Sequence, residues 1–250
     1  MSADAGYDFR TMIDAPPPQT DAVARYLVLI DISGYTRFLG GVEATHGDDF
    51  RAGLPAGYRA LGELLQRVVD GLSPDFELVK VEGDAVFGTA TGEMLDGRGT
   101  AVIGHLGDVY RTFLERRDVL AATASDDKCT ACFAIAQLDL KAVIHRGIAV
   151  RQAMGGVADL VGPAVNVAHR LLKNTVRDRI GYRPYVLMTQ PAALELGLPE
   201  AGLAHRETYP DVGSIDVRIL DLAEVAGIVP TSWPPPPAGS EAWPELRISG

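Results

Sequence analysis

Tyr26-Leu27-Val28-Leu29-Ile30-Asp31-Ile32-Ser33-Gly34-Tyr35 and Phe76-Glu77-Leu78-Val79-Lys80-Val81-Glu82-Gly83-Asp84-Ala85-Val86-Phe87 each carry an aspartate at the end of an apolar run. A near-continuous apolar run such as residues 25–32 marks a strand covered on both faces. The second stretch reads as two short strands, 76–81 and 85–89, joined through Glu82-Gly83-Asp84, where glycine permits the tight turn. With the first strand beside this hairpin, Asp31 and Asp84 meet at one edge of a sheet. Two carboxylates held there suit a hard divalent cation, which prefers oxygen ligands and commonly arrives with substrate phosphates. Either aspartate alone reads as a turn or helix-cap residue; together they read as a metal pair. Ile32-Ser33-Gly34 then opens a helix, whose first amides would face phosphate oxygens.

Working outward, apolar positions Tyr58, Leu61, Leu64, Leu65, Val68, Val69 and Leu72 recur at helical spacing and predict a helix over residues 57–72, after a break at Pro55. A second helix is expected over 100–117 and a loop over 121–128. Residues 132–138 and 141–150 read as a second hairpin. Gly162-Pro163 opens a helix to about residue 174, with proline well placed in the first turn. A strand at 185–188, a short helix at 191–196 and a final strand at 215–222 complete the pattern. The order β-α-β-β-α-β with C-terminal additions predicts a ferredoxin-like α/β (α+β) sandwich. Residues 1–21 and 228–250 hold the proline runs Pro16-Pro17-Pro18 and Pro234-Pro235-Pro236-Pro237 and read as a disordered leader and an extended tail. Residues 22–227 show no linker-like shift in composition and read as one domain.

The chain has 250 residues, 47% of them apolar, enough to bury a core. Its formal charge of −10 is a poor match for a nucleic-acid backbone, so no nucleic-acid partner is expected. A small anionic ligand stays compatible, because a local pocket can be positive or carry metal ions. No apolar run reaches the length of a membrane span, and the first twenty residues lack a basic segment followed by an apolar core. No membrane association and a cytoplasmic location are therefore expected. Cys129 and Cys132 form a C-x-x-C pair at the start of the expected 132–138 strand, where residues three apart point to opposite faces. With no second such pair and no H-x3-H to complete a tetrahedral site, they read as small packed residues rather than a redox or zinc motif.

On the third helix Asn166 and Arg170 are four apart and share a face, away from the stripe Val165, Ala168, Leu171 and Leu172. A guanidinium there suits charge building on a phosphoryl centre, and an amide can orient a sugar. An Asn/Arg pair is also common on any solvated helix face.

Three segments, Leu29-Ile30-Asp31-Ile32-Ser33-Gly34-Tyr35-Thr36, Lys80-Val81-Glu82-Gly83-Asp84-Ala85-Val86 and Asp159-Leu160-Val161-Gly162-Pro163-Ala164-Val165-Asn166-Val167-Ala168-His169-Arg170, resemble the signature segments of class III nucleotidyl cyclases, in the family's order. Val143-Ile144-His145-Arg146-Gly147-Ile148-Ala149-Val150 resembles the strand before the third segment, and the likeness spans about residues 25 to 222, closest to a divergent bacterial subgroup. The resemblance implies that Asp31 and Asp84 bind two Mg²⁺ or Mn²⁺ ions. Lys80 and Asp159 would read the purine in the adenine-type combination, lysine donating to a ring nitrogen and aspartate accepting from the amino group. Asn166 and Arg170 would orient the ribose and stabilise the transition state. The implied reaction turns ATP into cyclic AMP and pyrophosphate. In this family the site forms between two catalytic domains, so a homodimer with two shared sites is implied.

Two departures stand out. The stretch Tyr209-Pro210-Asp211-Val212-Gly213-Ser214-Ile215-Asp216-Val217 lacks the phosphate-binding lysine the family often has there, which leaves Arg183 or Arg206 as substitutes. Val150-Arg151-Gln152-Ala153-Met154-Gly155-Gly156 also differs from the usual glycine-bearing turn. The alternative is a catalytically weak or inactive cyclase-fold module for nucleotide binding or dimerisation. Of the remaining polar residues, His145 reads as a packed strand histidine, His169 as a surface residue, and Glu82 as a solvated turn residue or a negative neighbour of the metal pair.

Overall fold

The computed structural model describes residues 22–47, 51, 53–126, 130–154 and 157–228. The expected leader, the tail beyond residue 228 and Cys129 lie outside these residues.

Strand β1 (Ala22–Ser33) is hydrogen-bonded on both sides, antiparallel to β3 (Ala85–Thr91) and to β4 (Asp139–Met154). Its side chains alternate. Tyr26, Val28, Ile30 and Ile32 enter one apolar cluster, whereas Leu27 and Leu29 enter another on the opposite face. The near-continuous apolar run is thus explained: each face of β1 has its own cover. Each such side chain contributes roughly 1.5–3 kcal/mol when fully buried.

β2 (Glu77–Glu82) and β3 form the expected hairpin around Gly83, whose φ of 62° lies in the left-handed region that suits glycine. Asp31 stands opposite Ala85 in the β1–β3 ladder, and the Ile32 N–H donates to the Asp84 carbonyl at 3.1 Å. The two aspartates are therefore neighbours across adjacent strand ends. With β5 (Val157–Val161), β6 (Tyr185–Thr189), β7 (Leu203–Tyr209) and β8 (Gly213–Asp221), the sheet runs β2-β3-β1-β4-β6-β8-β7, with β5 paired to the far end of β4. Only the β4–β6 pairing is parallel among the described strands.

One face is covered by α1 (Tyr35–His46), α2 (Ala56–Asp70), the short α3 (Gly92–Leu95) and the 28-residue α4 (Gly99–Asp126), through Phe38, Leu61, Leu64, Val68, Leu95, Ile103 and Phe113. After α5 (Thr130–Phe133) the other face receives α6 (Pro163–Leu171) and α7 (Val176–Ile180), through Ala164, Val165, Ala168, Leu171, Val176 and Ile180. Two short helices, α8 (Gln190–Glu195) and α9 (Leu222–Val225), return to the first face. The mixed α+β class and the β-α-β-β-α-β order are as the sequence predicts.

Three local expectations are corrected. Residues 121–126 continue α4 instead of forming a loop, because Ala121-Ala122-Thr123-Ala124 favours the helix. Residues 132–138 are not a strand: they form the end of α5 and a 3-10 turn, Ala134–Gln137. The second hairpin is instead β4 with β5, whose register runs from Val150↔Val161 to Met154↔Val157. The opposite-faces argument for the cysteines lapses with the strand. Cys132 is helical, and its Sγ lies 3.3 Å from His46 Nε2.

α6 comes very close to β4 at Gly147. A Cβ there would stand 2.9 Å from the Ala164 Cβ and 3.0 Å from His145 Nε2. Gly147→Val should therefore force α6 outward and destabilise the protein by about 1–3 kcal/mol, read as a lower urea midpoint.

Candidate active site

Asp31 is 8% exposed, on the face of β1 that carries Leu27 and Leu29. Its cross-strand partner is Lys141 at the start of β4, and Lys141 Nζ lies 2.8 Å from Asp31 Oδ2. The same ammonium donates to the Leu172 carbonyl at 3.1 Å. Burial, and then the negative charge of Asp31, hold the Asp84 carboxyl above the usual carboxylate range. Burial and the charge of Asp84 likewise raise the Tyr35 hydroxyl. Both aspartates, with Ile32, Ser33 and Gly34, line an open cavity of about 390 Å³, to which Arg37, Lys141, Asn174, Arg177 and Tyr185 also contribute. Ile32 and Ser33 end β1 rather than opening the helix. The chain turns at Gly34, φ 92°, and α1 begins at Tyr35.

This donor set fits Mg²⁺ or Mn²⁺. It is all oxygen, and Asp84 still feels the charge of Asp31 although Lys141 is paired with it. Among the described residues no group of three or more His, Cys, Asp or Glu forms a metal cage. Further ligands to an ion here would be water, backbone carbonyl or substrate oxygens, as is usual for Mg²⁺.

Lys80 and Asp159 are brought together from β2 and β5: Lys80 Nζ donates to Asp159 Oδ2 at 2.8 Å. Lys80 also pairs with Glu82 at 2.7 Å. Burial alone would lower the lysine, but the hydrogen bonds it donates to Asp159 and Glu82 outweigh it and raise its pKa. The Lys80 hydrogen bond depresses Asp159. Glu82 thus faces the lysine rather than the metal pair. Glu82 Oε2 also lies 3.6 Å from His169 Nε2, and the His169 ring packs edge-on to Phe87 at 5.5 Å, so His169 is half-buried rather than a bare surface residue. His145 is packed as expected. Its Nδ1 lies 3.1 Å from Thr189 Oγ1, and burial pushes its pKa down to about 4.

Asn166 and Arg170 project into solvent from one face of α6, and Arg170 Nε donates to Asp211 Oδ2 at 2.7 Å. None of Lys80, Asp159, Asn166 and Arg170 lines the cavity that holds the two aspartates. Within one chain the sequence-derived residues therefore separate into the cavity residues, the Lys80–Asp159 pair and the exposed Asn166/Arg170 face of α6. Arg183 pairs with Asp221 at 3.2 Å and Arg206 with Asp216 at 2.6 Å, so each substitute for the absent lysine already holds a carboxylate.

The family model described as a protein of unknown function (DUF2652) matches residues 61–180. The uncharacterized protein Rv2561/Rv2562 of Mycobacterium tuberculosis (strain ATCC 25618 / H37Rv) is 27% identical over 165 residues, covering 65% of this chain and 74% of that protein. Among solved structures, a bacterial light-regulated adenylyl cyclase superposes with a TM-score of 0.57 at 17% identity over 84% of this chain; the match spans 58% of that protein's length. The guanylyl cyclase Cya2 gives 0.58 at 11% identity, covering 80% of this chain and 92% of that one. The adenylyl cyclase CyaB from P. aeruginosa gives 0.56 at 14% identity, covering 82% and 97%. At these identities the likeness shows a shared fold: the chain has the architecture of nucleotidyl cyclase catalytic domains.

Sequence reading missed Lys141, Arg37, Asn174, Arg177 and Tyr185 at the cavity. Lys141 left a signal, a lone charge opening the apolar run Ala142-Val143-Ile144. Arg177 left none, because α7 is one short turn among several charged residues.

The raised Asp84 pKa has a pH consequence. Between its ordinary value and its elevated folded value, the folded protein binds more protons than the unfolded chain, so stability falls as pH rises through that window. Asp84→Asn should therefore be more stable than the parent at pH 7, by under about 1 kcal/mol, and equal to it near pH 3. Thermal melts across pH check this, and Mn²⁺ should raise the melting temperature of the parent but not of the variant.

Proposed function

We propose that this chain is a nucleotidyl cyclase that converts ATP to 3′,5′-cyclic AMP and pyrophosphate, working as a symmetric homodimer. The observation that carries the reading is the meeting of Asp31 and Asp84 in one cavity that none of Lys80, Asp159, Asn166 and Arg170 lines. Cyclase-fold relatives support it.

Asp31 and Asp84 would hold the two Mg²⁺ or Mn²⁺ ions, which when bound supply Lewis-acid polarisation of the ribose 3′-hydroxyl and the triphosphate. Lys80 and Asp159 of the partner subunit would bind the base. Lysine has three donors and a carboxylate about four acceptor sites, so their mutual hydrogen bond need not break when adenine arrives. Asn166 orients the ribose so that its 3′-oxygen lies in line with the α-phosphorus. The 3′-hydroxyl releases its proton to solvent water, its oxygen forms a bond to phosphorus, the bridge to the β-phosphate breaks, and pyrophosphate leaves. Arg170 receives the charge that develops on the phosphoryl oxygens. To do so it exchanges Asp211 for the substrate, which costs little because the ion pair is solvent-exposed, with Arg170 47% exposed. Dependence on ATP agrees with a cytoplasmic location.

A non-catalytic nucleotide-binding module is the second reading. It draws on the two resting ion pairs, Lys141–Asp31 and Arg170–Asp211.

Purified protein with Mn²⁺ and ATP should release cyclic AMP. Asp31→Ala and Arg170→Ala should each lose at least about 100-fold in kcat. Mixed in equal amounts with subunit exchange, they should recover about a quarter of parental activity, because half the dimers are mixed and each mixed dimer keeps one of two sites. No recovery would end the shared-site reading. Nucleotide binding with no cyclic product from ATP or GTP would favour the second one.

A further inference from the structure

We infer that Arg177 and Arg37 form a polyphosphate-receiving arm of the cavity that holds Asp31 and Asp84, on the same subunit as those aspartates; this rests on the cyclase reading above. Both arginines line the cavity, Arg37 from α1 and Arg177 from α7, and both are exposed. Among the described residues neither takes part in an ion pair, unlike Arg170, Arg183 and Arg206.

Arg177 is nevertheless held in place. Its guanidinium lies over the Tyr182 ring, 4.0 Å from the centroid. The Tyr182 hydroxyl in turn lies against the turn that opens α1, where a Cβ at Gly34 would stand 3.6 Å from it. The cation is thus fixed relative to the same turn that follows Asp31. A stacked planar guanidinium keeps its in-plane N–H groups available for bidentate contact with phosphate oxygens.

Charge balance decides what the arm is for. The cavity lining carries Asp31 and Asp84 against Arg37, Lys141 and Arg177, a formal balance of three positive to two negative, or +1. Divalent ions held by the aspartates make it more positive still. Unneutralised arginines beside a cation repel it unless an anion enters with it. A tri- or tetra-anionic phosphate chain satisfies both requirements, whereas a bare metal site or a neutral ligand satisfies neither. Arg37 and Arg177 then do the work of the lysine missing from residues 209–217.

The test is calorimetric titration of the full-length protein with inorganic tripolyphosphate in the presence of Mn²⁺, beside ATP kinetics. Arg177→Ala should weaken tripolyphosphate binding about tenfold, with Arg37→Ala weaker by a smaller factor and Arg177→Lys intermediate. Arg177→Ala should raise KM for ATP more than it lowers kcat, and Mn²⁺ affinity without phosphate should not fall. Tripolyphosphate binding by Arg177→Ala equal to the parent's, or no binding by the parent, would overturn the inference. The two readings separate cleanly. Loss of tripolyphosphate binding in a protein that makes no cyclic nucleotide keeps the arm and removes the cyclase. Cyclic AMP formation with an unchanged KM in Arg177→Ala keeps the cyclase and removes the arm.

Discussion

β1 is hydrogen-bonded along both edges and packed on both faces, and the position of Asp31 follows from that. A one-residue slip would exchange Leu27 and Leu29 with Val28 and Ile30 between two separate cores. It would also carry Asp31 to the side covered by α1, α2 and α4. The register that satisfies the apolar side chains is thus the register that presents Asp31 beside Asp84. The Ile32-to-Asp84 backbone hydrogen bond locks the end of the strand to the hairpin turn. The carboxylate is fixed by the core behind it and needs little support from its own contacts.

The two ionic groups differ in kind. Lys80, Asp159 and Glu82 satisfy one another at hydrogen-bond distance, and the shifts of Lys80 and Asp159 both favour the charged forms. Such a cluster is content without a ligand. The Asp31–Asp84 pair is not. Lys141 pairs directly with Asp31; for Asp84, burial and the like charge of Asp31 outweigh the help of a backbone hydrogen bond and of Lys141, and together oppose its ionisation. A half-buried carboxylate under that pressure gains more from an arriving cation than a satisfied one. In the cyclase reading the acids would gain most from binding, and the Lys80–Asp159 pair is already organised.

How much of this was legible in the sequence depends on what each residue needed from its neighbours. β1 and the β2–β3 hairpin were readable because strand burial and turn geometry are local: the apolar run, the alternation and Gly83 suffice. The Asp31–Asp84 meeting followed from placing the two side by side. The segment 132–138 was misread because a short apolar run fits either a buried strand or a helical turn, and Ala134-Ile135-Ala136 has too few β-branched residues to decide. β5 escaped because its five residues gain their strand character from pairing with the end of β4, a tertiary effect. Lys141 and Arg177 were hidden for a related reason. Their importance comes from standing opposite Asp31 and against Tyr182, and register and stacking are not written in spacing.

The cross-links within the chain constrain how a shared site can move. Lys80–Asp159 ties β2 to β5, and Glu82 reaches from β2 to His169 on α6. β2 is continuous through β3 with β1, which carries Asp31. Asp31 and Asp84 on one side, and Lys80, Asp159 and α6 on the other, are thus fastened to the same sheet and cannot shift against each other without breaking ladder hydrogen bonds. In the cyclase reading, closing the site on ATP must therefore occur between subunits, as a rotation of one rigid sheet relative to its twin. Arg37 and Arg177 would ride with the aspartates, so the phosphate end stays fixed to one body while the base end swings with the other. In that reading the division would give the in-line geometry at the α-phosphorus to the dimer interface, and would leave each monomer able to bind but unable to react.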